Sequence, residues 1–252
     1  MRLKITEEFL NVLTSKRVYL RPHFHHGDAK DKIVNVVNNV EAEAYSRIPE
    51  TSFSWDGSVI IGAFSYIVQG SMLGQSTVGK YCSIGTGVRI MGQSHPTDRV
   101  TTSTWTYGSN VKKLVEEDFG ITPKQNYGVP NESGVQIGND VWIADNVTFK
   151  RNITVHDGAI VAANAVVTKD VPPYAIVAGN PAKVVKYRFS EKIITALREL
   201  EWWCKSPKLL SEFDLSNVES FLENAEKLKA AKDYAFEKVN LTELINKLST
   251  NE

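Results

Sequence analysis

A sixfold recurrence between Val135 and Ala182 limits what this chain can become more than any other feature. Every sixth residue from Ile137 is apolar, through Ile143, Phe149, Val155, Val161 and Val167. The fifth place of each unit is apolar again and mostly compact: Val141, Val147, Ile153, Ala159, Ala165 and Val171. The fourth place holds only Asp140, Asn146, Asn152, Gly158, Asn164 and Asp170. Asn, Asp and Gly tolerate left-handed backbone torsions better than other residues. A corner demanding such torsions therefore recurs every six residues. Inward apolar columns separated by such corners predict a solenoid of parallel β coils. An amphipathic helix would space its apolar residues by three and four, which this stretch does not do.

The pattern starts upstream in a fainter form. From Val59, the pairs Ile61-Gly62, Ile67-Val68 and Leu73-Gly74 share one phase; Val78-Gly79, Ile84-Gly85 and Ile90-Met91 share another. A tightened corner between Leu73 and Val78 would absorb the one-residue slip. Cys82 falls in the inward fifth column, which reads as a compact core residue and not as a nucleophile. The pattern stops at GQSHPTDRVTTSTWTYG and resumes at Gly134-Val135. A solenoid places such an insertion, here residues 95–134, as a loop on one face, and excursions of that length usually carry function. The expected organisation is an N-terminal α/β segment over residues 1–57, the sixfold coils over 58–189, and a helical extension over 190–252.

Outside the coils the signals are local. Glu7–Leu13 predicts a short helix, and Ile33, Val36, Val37 and Val40 have helical spacing within Ile33–Tyr45. The cluster His23, His25 and His26 has no Cys or carboxylate at ligand spacing, so it reads as a solvated loop and no metal site is expected. After Ala182, Ser190 is placed to cap a helix bearing Ile193, Ile194, Leu197 and Leu200, with Pro207 closing it. Ser216-Asn217-Val218-Glu219 reads as a capping box opening a second helix, with Val218, Phe221, Leu222, Ala225 and Leu228 on one stripe. Leu241, Leu244, Ile245 and Leu248 predict a third. Helices after the last coil would cover an open β edge, or a partner chain.

Composition narrows the function classes. Lys+Arg 29 balances Asp+Glu 29, so no global basic field recruits nucleic acid or an anionic membrane. The two cysteines, Cys82 and Cys204, suggest neither a disulfide framework nor zinc spacing. MRLKITEEFLNVL lacks the apolar core of a signal peptide, and no stretch reaches membrane-spanning length. Cytoplasm is the default expectation.

The stretch VWIADNVTF, the run AIVAANAVVTKDVPPYAIVAGNPAKVVKYRF and the upstream SHPTDRV together resemble the hexapeptide-repeat acyltransferases. Within these the sequence is most similar to the xenobiotic acetyltransferase branch, which holds chloramphenicol and streptogramin acetyltransferases and many saccharide O-acetyltransferases. Glu201-Trp202-Trp203 also resembles that branch. The likeness runs from about Ile61 to Trp203. It implies a left-handed parallel β-helix with a long loop insertion and C-terminal α-helices, a homotrimer, an active site between adjacent prisms, and acetyl-CoA as co-substrate.

Residue by residue, the resemblance puts the catalytic base at His95. An imidazole titrating near neutrality suits deprotonation of an alcohol, which attacks a thioester poorly while it keeps its proton. The same match puts Trp142 in the VWIG motif, where Ala144 replaces the usual Gly. It lays Asp145, Ala163, Thr168 and Lys169 along the pantetheine arm and Lys183 and Lys186 by the nucleotide phosphates. Asp98, Trp105 and Tyr107, in the loop after His95, and the N-terminal segment are expected to choose the acceptor. The implied reaction is acetyl transfer to a saccharide hydroxyl; an antibiotic hydroxyl or an amino-sugar amine are alternatives. A non-catalytic scaffold predicts neither the loop histidine nor the lysines. A metal-dependent hydratase needs histidines on adjacent coils, and only His95 and His156 lie between 59 and 182.

Overall fold

The computed structural model describes residues 1–20, 25–121 and 133–251. The N-terminal segment supplies β1 (Arg2–Lys4), α1 (Glu7–Ser15), β2 (Ile33–Asn35) and β3 (Val40–Glu43). Next come β4 (Val59–Ile61), β5 (Tyr66–Ile67), β6 (Ser76–Val78), β7 (Ser83–Ile84) and β8 (Arg89–Ile90). α2 (Ser109–Phe119) lies in the insertion. The regular stretch yields β9 (Gln136–Ile137), β10 (Trp142–Ile143), β11 (Thr148–Phe149), β12 (Thr154–Val155), β13 (Ile160–Val161) and β14 (Val166–Val167). It ends in β15 (Ala175–Ala178) and β16 (Lys183–Tyr187). The C-terminal elements are α3 (Glu191–Leu200), α4 (Pro207–Leu210), α5 (Val218–Glu223), α6 (Ala225–Ala230), β17 (Lys238–Asn240), α7 (Leu241–Leu248) and β18 (Thr250–Asn251).

The short strands are dealt in rotation onto three sheets. Face I has the order β16-β15-β13-β10-β7-β5, face II β14-β11-β8, and face III β12-β9-β6-β4-β3-β17. All pairings along this stack are parallel except the two ends, where β16 runs antiparallel to β15 and β17 antiparallel to β3. Successive coils lie in register, as with Ile143 opposite Ile84 and Val161. Both apolar columns are fully inside: Phe149, Val155, Val161, Ala159 and Ala165 are all at 0 % exposure. The interior has no room for an irregular backbone, because each strand must satisfy its N–H and C=O groups on the strands above and below.

The corners explain the fourth column. Asp140, Asn146, Asn152 and Asn164 have φ of 54–59°, and Gly158 has φ 69°. Asp170 departs from the expectation. Its carboxylate accepts from the Thr154 N–H at 2.8 Å, and the left-handed residue comes later, at Tyr174 with φ 55°. Pro172 and Pro173 precede it and cannot adopt that torsion. One edge of the stack uses bulky residues at these torsions, Tyr45, Phe64 and Tyr81. Their rings stack at 4.8 and 4.9 Å, the spacing of adjacent strands, which offsets the torsional cost by ring packing. Tyr81 continues onto Trp202 at 5.0 Å, and α3, α5 and α6 pack with Tyr174 through Leu197, Leu200, Phe221 and Leu228.

Four local expectations are corrected. Residues Ile33–Tyr45 form β2 and β3, not a helix; the β-branched Ile33 and Val34 pair antiparallel with β1, and β3 joins the parallel stack at β4. Parallel pairing therefore extends upstream of residue 58. The helix after Ser190 ends at Leu200, with Glu201 left-handed, and Pro207 instead opens α4 behind the capping hydroxyl of Ser206. The cap of α5 is Asn217, which accepts from the Ser220 N–H, while Ser216 bonds the Asp214 carboxylate; the helical stripe breaks at Asn224. Lastly, of the helices expected to cover an open β edge, α7 does so, with β17, at the β3 edge, whereas α3–α6 flank the stack.

His23 lies outside the described residues. Of its neighbours, His26 stacks on Tyr19 at 5.6 Å, and burial holds its imidazole below the usual range. Among the described residues no group of three or more His, Cys, Asp or Glu is placed to hold a metal ion, and no helix is long and apolar enough to cross a membrane.

Candidate active site

The regular coils pin both roots of the insertion at one edge, between faces II and III. Met91, the exit, pairs its N–H with the Phe149 carbonyl at 2.8 Å, and the Arg151 Nε donates to the Met91 carbonyl at 3.1 Å. Ser133, at the return, donates its backbone N–H to the Asn152 Oδ1 at 2.8 Å. Arg151 and Asn152 are consecutive, so a single corner holds the two ends of a long excursion.

Between these roots the loop orders itself by hydrogen bonds. Ser103 caps a 3-10 turn over Thr104–Thr106, and the Gly108 N–H reaches the Thr104 carbonyl at 2.6 Å. A Cβ on Gly108 would press on that carbonyl, so glycine permits the turn. α2 follows and buries none of its side chains within this chain. His95 is exposed, and its Nδ1 lies 2.8 Å from the Thr102 carbonyl and 2.8 Å from the Tyr107 hydroxyl. A carbonyl only accepts, so the neutral ring that satisfies this contact has its proton on Nδ1 and its lone pair on Nε2. That is the form of imidazole that can remove a proton from an alcohol.

The other candidate residues fall into neighbouring groups around face II. Trp142 is 54 % exposed on the outer side of face I, where the register runs Trp142, Ile160, Ile176, Lys186 across adjacent strands. Asp145 and Ala163 sit at the edge between faces I and II, linked by the bond from the Asn164 N–H to the Asp145 carbonyl. One Asp145 carboxylate oxygen is already taken by the Thr86 N–H at 2.8 Å, a coil-to-coil tie. Thr168 and Lys169 share the edge from which the His95 loop leaves. They line a cavity of about 330 Å³ together with Lys183, Pro181 and Ala182 at the end of the stack. The lysines are exposed cations at the mouth of that cavity, a donor set suited to phosphate oxygens.

Two features stand apart from this surface. Cys82 is buried and its thiol is pushed up to about 12 by burial; it bonds the Gly138 carbonyl at 3.0 Å and has no nucleophilic character. A cavity of about 190 Å³ between Tyr174, Trp202 and Phe221 holds the Arg188–Asp140 ion pair at 2.8 Å and none of the candidate residues. Arg151 and Asn152 are loop anchors that lie outside the expected site residues. The signal available was their place directly beneath the interruption.

The family model described as bacterial transferase hexapeptide (six repeats) matches residues 134–169. A probable macrolide acetyltransferase of Lysinibacillus sphaericus is 43 % identical over 128 residues, which are 50 % of this chain and 67 % of that protein. The chloramphenicol acetyltransferase of Agrobacterium fabrum is 37 % identical over 129 residues, 50 % of this chain and 58 % of that one. This chain thus spans about two thirds of the first relative and under three fifths of the second. Among solved structures, a hexapeptide-repeat acetyltransferase of Vibrio cholerae in complex with acetyl-coenzyme A matches at 23 % identity and a TM-score of 0.39, covering 52 % of this chain and 61 % of that one.

Proposed function

Because this chain belongs to the hexapeptide-repeat acetyltransferases, we propose that it moves an acetyl group from acetyl-CoA directly to an acceptor hydroxyl, with His95 as general base. The observation that carries the reading is the His95 ring itself: Nδ1 lies 2.8 Å from the Thr102 carbonyl on an exposed loop, and among the described residues no hydrogen bond engages Nε2. Nε2 takes the hydroxyl proton as the acceptor oxygen bonds to the thioester carbon. The carbon–sulfur bond then breaks, and the proton passes from Nε2 to the departing thiolate, leaving CoA as the free thiol. Hydrogen-bond donors would stabilise the oxyanion formed between these steps.

In this reading the coils wind left-handed and three chains assemble with the site between neighbouring prisms. The pantetheine arm follows Asp145, Ala163, Thr168 and Lys169; Lys183, at the 330 Å³ cavity, and Lys186 meet the nucleotide phosphates, and Trp142 lies on the adjoining face. The acceptor is a saccharide hydroxyl, met by the aromatic side chains Trp105 and Tyr107. A second reading, an antibiotic hydroxyl, is favoured by the names of similar proteins, which include macrolide, chloramphenicol and virginiamycin A acetyltransferases.

The test is thiol release from acetyl-CoA with a panel of sugars, amino sugars, macrolides, chloramphenicol and streptogramins. Turnover confined to sugars supports the first reading and turnover confined to drugs the second. Failure to bind acetyl-CoA, together with no turnover on any acceptor, defeats both.

A further inference from the structure

His95 Nδ1 has two oxygen neighbours at the same distance, and they are chemically unlike. The Thr102 carbonyl and the Tyr107 hydroxyl each lie 2.8 Å away. A ring nitrogen has one in-plane position, filled by a proton or by a lone pair. A lone pair there would set Nδ1 against the Thr102 carbonyl oxygen, acceptor against acceptor, at hydrogen-bond distance. The carbonyl therefore favours a proton on Nδ1, and the Tyr107 oxygen, at the same distance, adds a second acceptor to that N–H. The tyrosine's own proton must then point elsewhere. The rings meet edge to face, with centroids 6.1 Å apart and planes at 81°, so the phenol meets the imidazole rim without covering the opposite nitrogen.

We propose that Tyr107 is a positioning residue: its hydroxyl, with the Thr102 carbonyl, fixes His95 as the Nδ1–H tautomer and so presents a bare Nε2 to the acceptor. This rests on His95 being the base, and it gives Tyr107 a role other than choice of acceptor. A device of this kind is needed because, among the described residues from Gly92 to Ile121, none is buried to clamp the ring. A solvated neutral imidazole favours the opposite tautomer, with the proton on Nε2, in which the base is masked. Tyr107 is itself well held: it ends the 3-10 turn, and its backbone N–H bonds the Thr104 carbonyl at 3.1 Å. The turn and the histidine thus form one unit from Ser94 to Gly108.

The experiment uses the full chain, uniformly ¹⁵N-labelled, with long-range ¹H–¹⁵N spectra of the imidazoles and steady-state kinetics. His95 resonances are assigned by their loss in His95→Asn. The wild-type protein should show Nδ1 protonated and Nε2 unprotonated. In Tyr107→Phe, which keeps the ring, signal should move toward the Nε2–H form, with kcat down about tenfold and KM for acetyl-CoA unchanged. A wild-type His95 protonated on Nε2 overturns the proposal without any variant being made. So does a Tyr107→Phe protein with wild-type kcat, or one whose kcat falls while the tautomer stays put. Full activity in His95→Ala would instead remove the base assignment, and the tautomer spectra would still judge Tyr107.

Discussion

The coils from Ile137 to Val171 and the loop from Gly92 to Ile121 are built on opposite principles. In the coils every first- and fifth-column side chain is buried. In the loop, among the described residues, none is. The coils draw stability from apolar area removed from water, whereas the loop draws its shape from hydrogen bonds, Gly108 and the Arg151–Asn152 anchor. Stability and chemistry are thereby assigned to different residues, and mutation should separate them.

The largest separation is expected at His95. His95→Ala should lower kcat/KM by about 10²–10⁴, the contribution of a general base, and leave the unfolding midpoint in urea unchanged. Phe149→Ala should do the reverse, costing about 3–5 kcal/mol of stability while Michaelis parameters measured well below the midpoint stay near wild type. A fall in the Phe149→Ala kcat under folded conditions would mean that the frame and the loop are coupled. The double variant Lys169→Ala/Lys183→Ala should raise KM for acetyl-CoA about five- to tenfold with kcat retained, as loss of binding shared by ground and transition states requires. An unchanged KM would move the nucleotide end elsewhere.

Smaller effects test the coils themselves. Asn164→Ala places a β-carbon without a helpful amide at φ 59° and should cost about 1–2 kcal/mol. The same change at Asp170, which lacks that torsion, should instead remove only its bond to the Thr154 N–H. The smallest effect is the pH response of Asp140. Burial pushes its carboxyl up although Arg188 pulls the other way. A raised carboxyl binds protons in the folded state that the unfolded state has released, so its contribution is full below the unfolded value and is lost as pH rises through the folded one. The stability of wild type relative to Asp140→Asn should therefore be greater near pH 4 than near pH 7, measured by urea melts. A flat difference would show the ion pair offsetting the burial.

How much was legible depended on whether a residue's role was periodic. The later coils could be read because the columns from Ile137 to Val171 repeat without interruption. The earlier coils were faint for a physical reason. Ser65, Ser71 and Ser76 stand buried where later coils carry aliphatic residues, and they are tolerated because Ser65 and Ser71 donate to carbonyls and accept N–H groups of adjoining coils, while Ser76 accepts the Val135 N–H. β3 was missed altogether, because its corner residue is Tyr45, stacked on Phe64, instead of Asn, Asp or Gly. The base candidate was visible from SHPTD. Its partner was not, because Tyr107 lies twelve residues away across a turn.

By itself the sequence determined the period, the inward columns, the place of the interruption and the family to which the chain belongs. These follow from side-chain burial and backbone torsion, which act locally and repeat. Only the tertiary structure decided which edge carries the loop, that β17 and α7 return to cover the β3 edge, and that Thr102 and Tyr107 converge on one nitrogen of His95. Those outcomes depend on contacts between residues far apart in the chain or joined by irregular backbone, where no period records them.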